Sequence, residues 1–202
     1  MARWALLAAI ACLLVVPVAR ADGDPASDYL LGTSAFVPPD ANIPSGDAKQ
    51  LRTVLAAAKA RGYELRVALI ATTYDMGSVG ALYRKPQLYA RFLGQELYFV
   101  YKGRLLVVMP NGYAVSRGGK VLRPAQQTVS GLPAPGTDGH AIAAGATAAV
   151  RKLASAGGIA IPLPKVAPAA TSRTGDWFLG GIVALVVIAG GGATFLARRR
   201  RA

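Results

Sequence analysis

The segment DWFLGGIVALVVIAGGGATFLARRRRA, residues 176–202, constrains this chain more than any other. From Trp177 to Ala197 it carries no charged side chain. As a helix rising about 1.5 Å per residue it is long enough to cross a hydrocarbon layer about 30 Å thick. Trp177 is an interfacial residue at its start, and four arginines, Arg198 to Arg201, follow it directly. By the positive-inside tendency these arginines stay cytoplasmic and the body of the chain lies outside. A buried core helix would carry a polar stripe and would not run straight into four charges. Gly180, Gly181 and Gly190 to Gly192 have no clean G-x-x-x-G spacing, so they read as ordinary composition for a membrane span.

The other end reads MARWALLAAIACLLVVPVARAD, with Arg3 before an apolar stretch from Ala5 to Val18 and the small-x-small pattern at Ala19 and Ala21. This predicts a secretory signal peptide over residues 1–21, because the apolar part is too short for a comfortable span. Cys12 lies inside the apolar run, whereas a lipidation cysteine would directly follow the cleavage point. With the signal removed no cysteine remains, which excludes disulfides, zinc–thiolate sites and a cysteine nucleophile. The expected layout is a signal at 1–21, an extracytoplasmic domain at 28–156, a Pro/Ala-rich stalk at 157–176, a single-pass span at 177–197 and a cytoplasmic tail at 198–202. DGDPASD, residues 22–28, reads as a frayed polar start.

Between Asp22 and Asp176 there are 17 Lys and Arg against 10 Asp and Glu, an excess of +7, so the basic character survives loss of both basic termini. Such a balance points to anionic partners: lipid head groups, an anionic envelope polymer or an acidic face of a membrane protein. Nucleic acid would fit the charge, but an exported domain rarely meets it, and none is expected.

Helix signals are clear in DAKQLRTVLAAAKARG, where Asp47 and Gln50 form a capping box, Leu51, Val54, Leu55 and Ala58 share a face, and Gly62 stops the helix. ELRVALIATT follows as a strand buried on both faces. A preceding strand over about Tyr29 to Val37 would complete a β-α-β unit. A second helix begins near Pro86 with Tyr89, Phe92, Leu93 and Leu97 on one face, pointing Arg91 and Gln95 away. Turn formers at Lys102-Gly103 and Pro110-Asn111-Gly112 then divide a meander of strands over Tyr98 to Tyr101, Leu105 to Met109 and Tyr113 to Ser116. Residues 118–137 read as a long loop, and a last helix spans Asp138 to Ala156 with Ile142, Ala146, Ala149, Val150 and Leu153 inward.

The stretches DYLLGTSAFVPP, DAKQLRTVLAAAKARGYELRVALIAT and RLLVVMPNGYAV, in this order and followed by a stalk and a span, resemble the TPM domain family of exported, often membrane-tethered domains of bacteria and thylakoids. The likeness covers residues 28–156. It implies an α/β fold, a central mixed β-sheet flanked by helices in an α/β/α sandwich. Some members of that family are associated with phosphatase activity or photosystem repair, others with protein assembly, and several bind a divalent ion through acidic loop residues. This chain departs from that last pattern, because Asp75 and Glu96 are the only acids between Arg66 and Thr137.

Catalytic signatures are thin. His140 is the one histidine, and MGSVG around Ser78 lacks the first glycine of G-x-S-x-G, having Met76 there. His140 reads as a first-turn helix residue beside Asp138. No P-loop, dinucleotide fingerprint, H-E-x-x-H or EF-hand pattern occurs. No catalytic residue, metal ligand or cofactor is therefore assigned. The better candidate is an anion-binding face built from Arg84, Lys85, Arg91, Lys102, Arg104, Arg117, Lys120 and Arg123, interleaved with Tyr83, Tyr89, Tyr101 and Tyr113. Two functions stay open: a tethered extracytoplasmic interaction or assembly module without catalysis, or an acid-phosphatase-like hydrolase of phosphate esters in the cell envelope.

Overall fold

The oiliest run of the central chain becomes the middle of a sheet. The computed structural model describes residues 23–162, and in it β3 (Arg104–Met109) is third in a five-stranded sheet of order β1-β2-β3-β4-β5. β1 (Ala35–Phe36) and β2 (Leu65–Leu69) run parallel to β3, whereas β4 (Gly112–Arg117) and β5 (Lys120–Val121) are added antiparallel. The parallel connections pass through α2 (Ser45–Ala60) and α3 (Pro86–Glu96). The signal peptide, the span, the arginine tail and most of the stalk expected from the sequence lie outside the described residues. Among the described residues no helix is long and apolar enough to cross a membrane.

Alternate residues of the central strands feed two apolar layers. Val67, Leu69, Leu106 and Val108 join Leu51, Val54 and Leu55 of α2, with Ile142, Ala146 and Val150 of α5 (Gly139–Ala156). Ala68, Ile70, Leu105 and Val107 face the other way, toward Leu30 of α1 (Pro25–Gly32) and Tyr89 and Leu93 of α3. Water reaches neither face of these strands, which is why they read as unbroken apolar runs. The result is an α/β fold, a mixed sheet flanked by helices. Both parallel crossovers step the same way across the sheet, yet α2 and α3 cover opposite faces. They therefore have opposite hand, and one departs from the usual right-handed preference.

Several local expectations are corrected. The strand expected over Tyr29 to Val37 is mostly α1, which leaves only Ala35–Phe36 extended. Asp24 and Pro25 supply the cap and first-turn signal that starts α1, and Thr33 ends it by donating its hydroxyl to the Tyr29 carbonyl. The frayed start is thus a buried helix cap. Helix α2 begins at Ser45, two residues before the predicted cap, and Asp47 makes no cap bond. Tyr98 to Tyr101 is not a strand: α3 tightens into a 3-10 turn at Leu97–Phe99, and the Tyr101 amide donates back to the Leu97 carbonyl.

A further correction concerns residues 118–137. Gly118 and Gly119, with φ of 54° and 74°, form a two-residue hairpin turn of the kind that matches strand twist, bringing Lys120 opposite Arg117. Here α3 comes so close that a Cβ on Gly94 would stand 2.8 Å from the Gly119 nitrogen. After β5 comes α4 (Arg123–Ser130), with Pro124 in its first turn. Its Gln126 acts as a surrogate strand residue: Oε1 accepts the Val115 N–H at 2.9 Å and Nε2 donates to the Tyr113 carbonyl at 3.1 Å. The fold also runs beyond Ala156. Ile161 is only 4 % exposed, and its carbonyl accepts from Arg151 Nε at 2.9 Å, so the first residues assigned to the stalk belong to the domain.

Gln126→Met keeps the side-chain length but leaves the Val115 N–H and Tyr113 C=O without their partner. The expected cost is about 1–3 kcal/mol in chemical denaturation. An unchanged midpoint would show that the edge of β4 is satisfied in another way.

Candidate functional site

β2 and β3 begin, and β4 ends, at the same end of the sheet. There Arg104 pairs in register with Arg117, and Arg117 with Lys120. Cross-strand partners share a face, so three cations stand abreast, an arrangement that is destabilising by itself. Arg117 Nε donates to the Lys102 carbonyl at 3.4 Å, which draws the Lys102 turn into the group. Arg66, second residue of β2, serves the opposite face, its guanidinium donating to the Leu30 carbonyl.

Three tyrosines support these cations. Arg66 lies over Tyr101 at 4.1 Å from the ring centre, Arg104 over Tyr63 at 4.3 Å, and Lys102 over Tyr98 at 4.7 Å. Burial pushes the Tyr101 phenol up to about 12 and also raises that of Tyr63, so both stay neutral and offer ring faces rather than charge. The Tyr101 hydroxyl donates to the Arg104 carbonyl at 2.8 Å, which fixes its ring beneath Arg66, on the face opposite to the row. Of the acids toward this end, Glu64 is paired with Lys59 at 3.1 Å and Glu96 ends α3.

The eight cations singled out in the sequence do not form one face. Lys102, Arg104, Arg117 and Lys120 converge as described, and Arg91 is exposed on α3, its carbonyl close to the Gly119 turn. Arg84 and Lys85 lie at the opposite end, where the Arg84 carbonyl accepts from Asn111 in the β3–β4 turn. Arg123 opens α4, whose Val129 packs in the α2–α5 layer. Arg66, Tyr63 and Tyr98 were missed. The signal for Arg66 was its place as the lone charge near the start of an apolar strand, as Arg104 stands at the start of RLLVVM.

The acids serve the backbone. Asp75 Oδ2 accepts the N–H groups of Ala71 and Thr72 at 2.7 and 2.8 Å, closing the turn after β2. Asp24 Oδ1 accepts from the Tyr89 hydroxyl at 2.7 Å and from the Ala26 N–H, while its Oδ2 is buried with no partner among the described residues. His140 Nδ1 meets Asp47 Oδ2 at 2.6 Å on the surface, and that hydrogen bond, with the Asp47 charge, raises its pKa. Ser78 belongs to the 3-10 turn Tyr74–Leu82, whose Met76 packs in the layer opposite to α5. Among the described residues no three His, Cys, Asp or Glu gather where a metal ion could be held. A cleft of about 260 Å³ opens beside Asn111, Tyr113 and Gln126, and no carboxylate, imidazole or cationic side chain lines it.

Asp24 yields a pH prediction. Burial pushes its carboxyl up to about 6, above the value of 3.8 for an unperturbed group. The folded state then holds the proton more tightly than the unfolded chain, so the contribution of Asp24 to stability is fully present below about pH 4, is lost as pH rises to about 6, and changes no further above. Asp24→Asn keeps an acceptor for Tyr89 and an efficient cap, and it should flatten this slope in denaturant midpoints between those limits. Parallel slopes in both proteins would show that Asp24 does not hold its proton.

Compared with protein-family models, curated proteins and solved structures, the chain matches none of them.

Proposed function

We propose that this chain is an exported interaction or assembly module without catalysis, held at the membrane by one C-terminal span, its domain outside and its arginine tail inside. It works by binding anionic partners. The observation that carries this reading is the row of Arg104, Arg117 and Lys120 abreast in register, with Lys102 joined to it. Like charges placed directly opposite one another weaken a sheet, and an anion lying across them removes that penalty. The resemblance to the TPM family, some of whose members are associated with protein assembly, supports the same reading. A phosphate-ester hydrolase would draw on Asp75, but that carboxylate is already engaged by two backbone N–H groups.

Polyphosphate is a suitable probe of the cationic end. The full chain in nonionic detergent should bind it, and Arg104→Glu with Arg117→Glu should weaken binding about tenfold or more at low salt, with the difference shrinking as salt is added. Equal affinity in folded wild type and variant would remove the reading. Turnover of p-nitrophenyl phosphate that disappears in Asp75→Asn would replace it with the hydrolase.

Topology has its own check. An epitope beside the exposed Gly136–Thr137 turn should be digested by protease added to intact cells. Protection until lysis would place the domain inside instead.

A further inference from the structure

The cationic end carries a second feature that the row of charges does not explain. The 3-10 turn Leu97–Phe99 buries Leu97 but turns Tyr98, Phe99 and Val100 outward, with 45, 94 and 61 % of their surfaces exposed. These three form a continuous apolar tip, Tyr98 and Phe99 meeting edge to face at 6.1 Å between ring centres. The tip sits among the cations: the Tyr98 ring lies under Lys102, and a Cβ on Gly118 in the β4–β5 turn would stand 3.4 Å from it. Lys102, Arg117 and Lys120 are themselves exposed. Aromatic side chains at a tip, ringed by Lys and Arg, match a surface that is anionic outside and apolar just beneath.

The path of the chain selects the same end. Helix α5 finishes next to it, since a Cβ on Gly157 would stand 2.9 Å from the ring of Tyr63, the tyrosine beneath Arg104. The described chain then ends at Pro162, one residue past Ile161, which is tied to Arg151 in the last two turns of α5. Only residues 163–176 separate that point from Trp177, where the apolar stretch begins. The segment leading to the expected span thus leaves the domain beside the last two turns of α5, in the half of the domain that bears the tip.

We propose that the Tyr98–Phe99–Val100 tip and its surrounding cations dock the domain on the surface of the anionic phospholipid bilayer that anchors it, the rings entering the headgroup boundary while Lys102, Arg117 and Lys120 meet lipid phosphates. The inference rests on the binding reading above and names its partner as anionic lipid. Aromatic insertion supplies depth and charge supplies selectivity, so docking depends on both.

The test uses the full chain, with Cys12 replaced by Ser, reconstituted in phosphatidylcholine vesicles with or without phosphatidylglycerol. A polarity-sensitive fluorophore is attached at Phe99→Cys or Val100→Cys. Tyr74→Cys, at the opposite end of β2 and 89 % exposed, is the control position. The label at 99 or 100 should shift to the blue and be quenched by spin-labelled lipid only with phosphatidylglycerol present, while the label at 74 stays aqueous. Lys102→Glu with Arg117→Glu and Lys120→Glu should abolish the shift. An aqueous label at both 99 and 100 in anionic vesicles, with polyphosphate binding retained, would overturn lipid docking and leave the cationic end a receptor for soluble polymers. Loss of both would overturn the two readings together. A shift of equal size without phosphatidylglycerol would also overturn the proposal, since charge would then play no part.

Discussion

Burial of the central strands on both faces is the constraint from which the rest of this structure follows. Leu106 and Val108 point into one apolar layer, Leu105 and Val107 into the other, and each layer needs its own helices. Charge has no place within such strands, so it is confined to their ends. Arg66 and Arg104 stand at or next to the start of their strands, and Arg117 is the last residue of β4. The same burial that builds the core therefore collects the cations into a group.

What makes that group unusual is how it is supported. In many folds a row of arginines is neutralised by carboxylates, but here the nearest supports are tyrosine rings, and burial keeps Tyr63 and Tyr101 uncharged. A ring face holds a guanidinium in position without neutralising it. The positive potential is thus not cancelled by these supports. The carboxylates go to closing turns and capping helices: Asp75 secures the turn after β2 and Asp24 the start of α1.

How much of this was legible in the sequence depended on how local each signal is. Membrane partition depends on local hydrophobicity, so residues alone carry the expected signal and span. Helices α2, α3 and α5 and strands β2, β3 and β4 were readable because their apolar residues recur at the helical period or run unbroken between turn formers. Where patterns were ambiguous the reading failed. DYLLGTSAF suits a strand as well as a helix, and the polar run that holds the Asp24-Pro25 cap has the composition of a frayed end. RGGK is a hairpin signal, but in a run rich in Gly, Pro, Gln and Ser it also fits a long loop, and that ambiguity hides β5 and α4.

The sequence by itself determined the central run of elements from α2 to β4, the excess of positive charge and the scarcity of carboxylates near it. Only the tertiary structure decided which cations stand together. Arg84 is nearer to Arg104 along the chain than Arg66 is, yet α3 and the turns around it carry Arg84 and Arg104 to opposite ends of the sheet. Arg66 and Arg104 are distant in sequence, and parallel pairing of β2 with β3 brings them to the same end. Which residues meet at a strand end depends on register and strand direction, and both are set by long-range pairing that no local pattern encodes.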